Sequence, residues 1–333
     1  MLSAEEILRI PITDPGKLFP HDPAVMEATY HKLAQRWHPD KPGGSNEVFA
    51  HIAVLHDAAK HGLWGKFLAI VEAKTGKQYA LKYLVKHQFE LGDVYIGKTF
   101  VGWYIKKEYE NLVLSGLKSI GSIRFPDNRM KEQHQRYLPF IERTIETADG
   151  YLVLMRKTED VVLLSDLIKH LGRMPPKHMA WVVSSLLNIL SFYEVIGLTH
   201  NGLDVNTVFI SPANHAAFPL GGWWYALKAK GKLKYLSPTA FLVAPTEVLL
   251  KKVADPRIDL ATVRTIARTA IGDPTGAHLQ STDDIPKSLA NWLRLPPPTS
   301  AIKDYENWGK VLTESWGPRK FLKLDVDINS IYK

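Results

Sequence analysis

An imidazole at His38, a carboxylate at Asp40 and an ammonium at Lys41 stand within four residues, with Pro39 between the first two. This group carries no nucleophile and cannot do chemistry alone. A rigid ring that fixes an imidazole and a carboxylate side by side suits presentation to another protein. The residues around the turn must position it. Met26, Tyr30, Leu33 and Trp37 fall on one stripe at helical spacing, and Lys32 and Arg36 lie four apart on another face. Pro39 lacks an N–H and pushes His38 out of the helical region, so the spacing predicts a helix ending near Trp37. Beyond Gly43-Gly44, Ser45 is a cap and Glu47 a first-turn acid, opening a second helix with Phe49, Ile52, Leu55 and Ala59 on one side. Two antiparallel helices joined by this turn make a finger with a charged edge.

The stretch resembles the J-domain of the DnaJ (Hsp40) co-chaperone family through Tyr30-His31-Lys32-Leu33-Ala34, His38-Pro39-Asp40-Lys41 and the Phe49…Ile52 helix. The family docks on an Hsp70 chaperone and stimulates its ATP hydrolysis. The resemblance implies that His38, Pro39 and Asp40 are the activating tripeptide and that Lys32, Arg36 and Lys41 form a docking face for an acidic groove. It departs from the family in a short first segment, Leu18-Phe19-Pro20, in a short loop after Lys41, and in the lack of a basic fourth helix.

At 333 residues the chain is long enough for more than one domain, and its apolar fraction of 45% can build a sizeable core. With no cysteine, disulfides, thiolate metal sites and a cysteine nucleophile are excluded, as fits a reducing cytoplasm. No apolar run approaches a membrane span and no signal-peptide pattern opens the chain. The net charge of +8 permits an acidic partner without demanding nucleic acid. His51, His56 and His61 spread around a helix and read as surface or packing residues, not metal ligands.

From Phe67 the pattern turns to strands: Phe67–Val71, a Thr75-Gly76 turn, Gln78–Leu84, then Val94-Tyr95-Ile96 and Thr99-Phe100-Val101. A helix is expected from about Ile105, with Leu112, Leu114 and Leu117 apolar, then strands at Phe140–Thr147 and Tyr151–Met155 and a short helix at Leu163–Leu171. After Pro175-Pro176 comes a helix to Ile196 that is apolar nearly all round, hence buried. Pro296-Pro297-Pro298 is a stiff break, and the last helix, about Ala301–Ser315, packs back on the helical lobe through Tyr305, Trp308 and Leu312.

The segment from Gly197 to Ile210 is similar to a protein-kinase catalytic loop and its following strand. Gly221-Gly222-Trp223, Ala244-Pro245-Thr246 and Arg257-Ile258-Asp259-Leu260 resemble the family's later motifs in order. The resemblance implies an α+β chain: a small helical-hairpin J-domain over 1–63, then a two-lobed kinase-like fold over 64–333. Its β-rich lobe would run to about 157 and its α-rich lobe from about 158. Aligned on His200, the resemblance implies that the base position is Gly202, the metal-binding Asn position Thr207 and the metal-binding Asp position Leu220. Phosphoryl transfer needs a carboxylate base and oxygen ligands for Mg²⁺, and no Gly-rich loop precedes the first hairpin, since Gly62 and Gly65 are too few. Lys82, with Glu110 as its best partner, is what remains, as a weak nucleotide pocket or an ion pair left from ancestry. Asp204 and Asn206 are displaced from the required positions and read as turn-capping groups.

Lys228, Lys230, Lys232 and Lys234 alternate with other residues; in a strand they would share one side. That hairpin is either a ridge for an acidic partner or nucleic acid, or an edge guarded by lysines against aggregation. Trp223-Trp224-Tyr225 beside it reads as core packing. The sequence thus suggests a co-chaperone that recruits an Hsp70 and tethers a client through a catalytically dead kinase-like scaffold, with no cofactor, metal or membrane. A short link at about His61–Gly65 would hold the two parts fixed. The rival readings are an atypical ATP-dependent kinase or nucleotide-binding enzyme using Lys82, Glu110, Asp204 and Asn206, and a nucleic-acid adaptor using the lysines.

Overall fold

The computed structural model describes residues 2–61, 66–318 and 320–332. The first part is helical: α1 (Ala4–Leu8), α2 (Pro23–Trp37) and α3 (Asn46–Lys60). Each start is capped by a side chain. Ser3 and Glu6 form a capping box, Asp22 accepts the Ala24 and Val25 N–H groups ahead of Pro23, and Ser45 accepts from Val48. The apolar stripes of α2 and α3 meet as expected except at Phe49, which lies outside their shared core, half-buried beside His38. Met26, Trp37, Ile52 and Leu55 are buried with Ile7 and Phe19 in a core of their own, against which Tyr30 and Leu33 are half-buried. Residues before α2 thus supply a helix further upstream than Leu18-Phe19-Pro20. The expected boundary at 63/64, most of the expected link, and Gly62 and Gly65 lie outside the described residues.

The second part opens on a hairpin, β1 (Lys66–Val71) and β2 (Gln78–Tyr83), turned at Gly76 with φ +68° and paired as a sheet of two strands. A second, antiparallel sheet follows, from β3 (Val85–Phe89), β4 (Gly92–Ile96), β5 (Phe100–Lys106), β6 (Ile141–Glu146) and β7 (Gly150–Arg156), in the order β3-β4-β5-β7-β6. Helices α4 (Glu110–Gly121) and α5 (Asn128–His134) connect β5 to β6. Two expectations are corrected here. Val85–Phe89, beyond the strands expected from the sequence, is an edge strand of this sheet. The helix expected from Ile105 starts at Glu110, because Val101, Trp103 and Ile105 alternate into the core and carry β5 through to Lys106.

The remainder is mostly helical: β8 (Val162–Leu163), α6 (Leu164–Leu171), α7 (Pro176–Val195), β9 (Leu198–Thr199), β10 (Val208–Ser211), β11 (Ala216–Pro219), β12 (Leu227–Lys228), α8 (Pro238–Val243), α9 (Thr246–Lys251), α10 (Pro256–Ala270), α11 (Lys287–Arg294), α12 (Ala301–Trp316) and α13 (Ile328–Ile331). Helix α7 is buried on most sides and packs on α10 and α12, as its all-round apolar pattern requires. The α10–α12 seam encloses a bidentate ion pair, Arg264 to Asp304 at 2.8 and 2.9 Å, with Trp292 Nε1 also donating to Asp304 at 3.1 Å. The chain is mixed α+β, with a helical first part, a sheet-rich middle and a helical remainder.

Candidate functional site

The turn at the tip of α2 and α3 is held by its own backbone. His38 leaves the helix at φ −58°, ψ 133°. Lys41 N–H donates to the His38 carbonyl at 3.0 Å, Gly44 N–H to Lys41 at 2.9 Å, and Ser45 N–H closes onto Trp37 at 3.2 Å. A Cβ at Gly44 would stand 1.9 Å from the His38 carbonyl oxygen, so only glycine allows this closure. His38, Pro39 and Asp40 are exposed on it. Asp40 N–H reaches His38 Nδ1 at 3.3 Å, and the His38 ring meets Phe49 edge-on at 5.4 Å. Lys32, His38 and Lys41 line one shallow groove with Phe49 at its floor, whereas Arg36 lies over the Trp37 ring at 5.1 Å. Of His51, His56 and His61, His56 stacks on Tyr30 at 3.8 Å, where burial disfavours its charged form, His51 bonds the Ile10 carbonyl at 2.8 Å, and His61 is exposed against the Asp57 carbonyl at 2.8 Å.

The loop after α7 is a second, buried constellation. His200 and Asn201 N–H groups donate to the two oxygens of Asp259 on α10, at 2.7 and 2.6 Å. Burial pushes the Asp259 carboxyl up to about 7 against the pull of those donors, and pushes the His200 imidazole down to about 3. Asn201 takes φ +58° and its amide holds Thr199 and the Tyr225 carbonyl. His200 is packed edge-on against Trp223 at 4.8 Å. It is a neutral core group, not an exposed base.

Gly202 has no side chain because there is no room for one. A Cβ there would stand 2.4 Å from the Gly222 carbonyl oxygen, and a Cβ at Gly222 would stand 2.1 Å from that of Gly202. Thr207 uses its hydroxyl within the loop, accepting from Asp204 N–H at 2.8 Å and meeting the Gly202 carbonyl at 2.9 Å. Leu220 is buried. Asp204 accepts from the Asn206 backbone and side-chain amides at 2.8 Å and from the Thr239 hydroxyl of α8, so both groups cap the turn.

Lys82 and Glu110 are not brought together. Lys82 is exposed on the separate hairpin, with its ammonium 6.0 Å from the Phe67 ring. Glu110 instead accepts from the Tyr151 hydroxyl and lies 3.7 Å from Lys107. The strand that leads to α4 is β5, and Trp103 is the middle of its three inward residues, Val101, Trp103 and Ile105.

Trp103 is the residue that sequence reading missed. It meets Phe89 of β3 at 5.2 Å and Trp224 at 5.0 Å, and Phe89 meets Trp224 at 5.2 Å. A Cβ at Gly221 would stand 2.3 Å from the Trp103 ring. The β3–β4 turn is tied to the same place, since Tyr225 donates to Glu90 at 2.9 Å. Three large rings therefore fill the seam between the sheet and the His200 loop. The signal was available: Phe100–Lys106 reads as a buried strand with a Trp at its centre.

The lysine segment is also corrected. Only Leu227–Lys228 is a strand, paired with β9, and Lys230 takes φ +64°. Lys232 and Leu233 are drawn instead to the Lys252–Val253 segment. Left-handed backbone at Lys230 breaks the alternation, so the four ammonium groups do not form one row. Lys228 lines one hollow, Lys232 and Lys234 another, and Lys230 neither. Trp223, Trp224 and Tyr225 are core, as expected. Among the described residues no helix is long and apolar enough to cross a membrane. No protein-family model and no curated protein matches this chain.

Proposed function

We propose that the chain is a J-domain-type co-chaperone whose kinase-like body serves as a protein-binding scaffold without phosphoryl-transfer activity. The observation that carries this is the finger tip. An imidazole and a carboxylate, 3.5 Å apart, are held exposed on a turn closed by three backbone hydrogen bonds, beside Lys32 and Lys41. Groups held exposed and fixed in this way are available to an outside partner at little ordering cost. Lys32, Lys41 and Arg36 supply the positive field that suits the acidic groove of an Hsp70. The compartment that fits is the reducing cytoplasm.

The scaffold half is supported by the order of elements. An antiparallel sheet with a helix set between β5 and the β6–β7 pair, then a buried helix and a His loop, follows what the kinase resemblance implies. Its chemistry is missing for steric reasons: Gly202 abuts Gly222, Leu220 offers no oxygen, and the seam is filled by Phe89, Trp103 and Trp224. Asp204 and Asn206 are committed to each other, which disfavours the rival reading as an atypical kinase.

Single-turnover ATP hydrolysis by an Hsp70, measured with the full chain and with His38→Gln, tests the proposal. Stimulation by the native protein that is lost in the variant is the expected result. Equal stimulation by both, or by neither, overturns it.

A further inference from the structure

Between α4 and the 223–235 segment lies a trough that neither the finger nor the His200 loop uses. Two hollows share Ser115 and Leu227 and so run together. Lys118 and Arg124 stand at the α4 side, and Lys228, Lys232 and Lys234 come from the facing segment. No residue lining either hollow is acidic. Glu90, which reaches Tyr225 from the β3–β4 turn, is occupied by that residue's hydroxyl at 2.9 Å. Close approach of the two walls is built in: a Cβ at Gly116 would stand 3.0 Å from the Trp224 backbone, and Ser119 donates to the Ala226 carbonyl at 2.9 Å. The trough is therefore a fixed feature of the packing.

Its floor is apolar. Phe125, Ile196, Leu198 and Leu227 line one end, and Leu112 and Tyr235 the other. An apolar floor under a cationic rim matches an extended peptide whose side chains alternate, apolar down and carboxylate out. Single-stranded nucleic acid is the weaker match. Base binding needs exposed aromatic faces; Trp224 and Tyr225 are only 4% and 5% exposed and Phe125 is half-buried and stacked on Phe192 at 5.4 Å, which leaves Tyr235 as the one exposed ring of the lining.

We propose that this trough binds an extended acidic segment of a partner protein, its apolar side chains on the leucine floor and its carboxylates against Lys118, Arg124, Lys228, Lys232 and Lys234. The inference rests on the scaffold half of the reading above. Direct binding measures it with no chaperone present, so its failure is distinguishable from failure of Hsp70 stimulation.

The probe is a labelled peptide of about ten residues alternating Glu and Leu, titrated with the full chain and read by fluorescence anisotropy. Its Gln-for-Glu counterpart and an oligothymidylate of equal charge serve as comparisons. Lys118→Glu with Lys232→Glu is expected to weaken peptide binding at least about tenfold. Lys230→Glu, exposed but outside the trough, is expected to weaken it less than about twofold, which separates the site from general charge steering. Because all three lysines are exposed, melting temperatures should stay unchanged. Equal binding of the Gln peptide overturns the proposal. So does an effect of Lys230→Glu as large as that of the double variant. Tighter binding of the oligonucleotide, lost in the double variant, overturns it in favour of a nucleic-acid groove.

Discussion

A methyl group added at Gly202 would stand 2.4 Å from the Gly222 carbonyl oxygen and 2.9 Å from its Cα. Ordinary contact lies beyond 3.4 Å, so one backbone must retreat by about 1 Å in a close-packed interior. Neither is free to do so. The Asn201 N–H is anchored on Asp259, the Gly202 carbonyl on the Thr207 hydroxyl, and the Gly221 N–H on the Thr207 carbonyl. Gly222 is fixed at φ +77°. Overpacking of this kind costs about 1–3 kcal/mol. At a central ~2 kcal/mol, Gly202→Ala should lower the melting temperature by roughly 4–8 °C. Gly202→Asp, which places a carboxylate where the proposed kinase-like reading puts the base position, should lower it further, because it adds a buried charge to the clash. It should also gain no transfer of phosphate from ATP to protein or peptide. Gly121→Ala is the control, since its Cβ meets nothing within 4 Å. Differential scanning calorimetry and a radiolabelled ATP assay read both outcomes. An unchanged melting temperature for Gly202→Ala, or phosphate transfer by Gly202→Asp, would refute the steric argument.

Trp103→Ala should cost about 3–5 kcal/mol in urea unfolding, because it empties the centre of the seam; a loss below about 1 kcal/mol would mean that the three rings do not support one another. Arg264→Leu leaves Asp304 buried without its partner and should cost about 3–5 kcal/mol, and adding Asp304→Leu should recover at least about 1 kcal/mol of it. A double variant no more stable than the single one would show the pair to be uncoupled. Gly44→Ala forces the His38 carbonyl away and should displace the His38 imidazole resonances, abolishing Hsp70 stimulation as fully as His38→Gln. Finally, burial lowers the pKa of His56, His134, His178, His200 and His215. In each the charged form is disfavoured in the fold, and unfolding makes the proton easier to take up. Their stabilisation is full above the unfolded value near 6.5 and is lost as pH falls through it. With its folded value at about 3, His200 alone should contribute about 2 kcal/mol of loss by pH 5. Asp259, raised to about 7, opposes this over the same window. Its gain of about 2 kcal/mol between pH 7 and pH 5 offsets the His200 loss, so the sign rests on the other four rings: their lowered pKa values predict a melting temperature that drops over this window, and a flat or rising profile would show that they contribute little.

The finger was legible because its signals are local. Proline chemistry ends α2 at Trp37, Ser45 starts α3, and apolar spacing sets the buried faces, all within forty residues. The buried α7 was legible for the same reason. What failed depended on distant pairing. Lys82 and Glu110 pair only if the Lys82 hairpin shares a sheet with the strand before α4, and ladder pairing puts that hairpin in a sheet of its own. The lysine segment alternates as a strand would, but one left-handed residue, Lys230, and attachment to Val253 outweigh the alternation. Gly202 and Gly222 are twenty residues apart, and nothing in either neighbourhood announces that their backbones touch.

In the kinase-like reading, loss of the metal oxygens and closure of the seam are one physical event. A nucleotide site needs a cavity whose apolar walls are covered by the base and whose polar groups are satisfied by phosphate and metal. Without that ligand, an open seam would expose the rings of Phe89, Trp103 and Trp224, and burying an aromatic ring of this size is worth about 1.5–3 kcal/mol. Packing the three rings on one another replaces the contacts the ligand would make. It also leaves no room to readmit it, as the 2.3 Å approach of the Trp103 ring to a Cβ at Gly221 shows. A carboxylate restored at position 202 therefore meets a closed seam as well as a backbone clash. Trp103→Ala and Gly202→Asp combined should be no more able to retain magnesium ATP than either alone, measured by equilibrium dialysis. Retention by the double variant would mean that steric closure alone silences the site and that the missing oxygens at Leu220 and Thr207 do not matter.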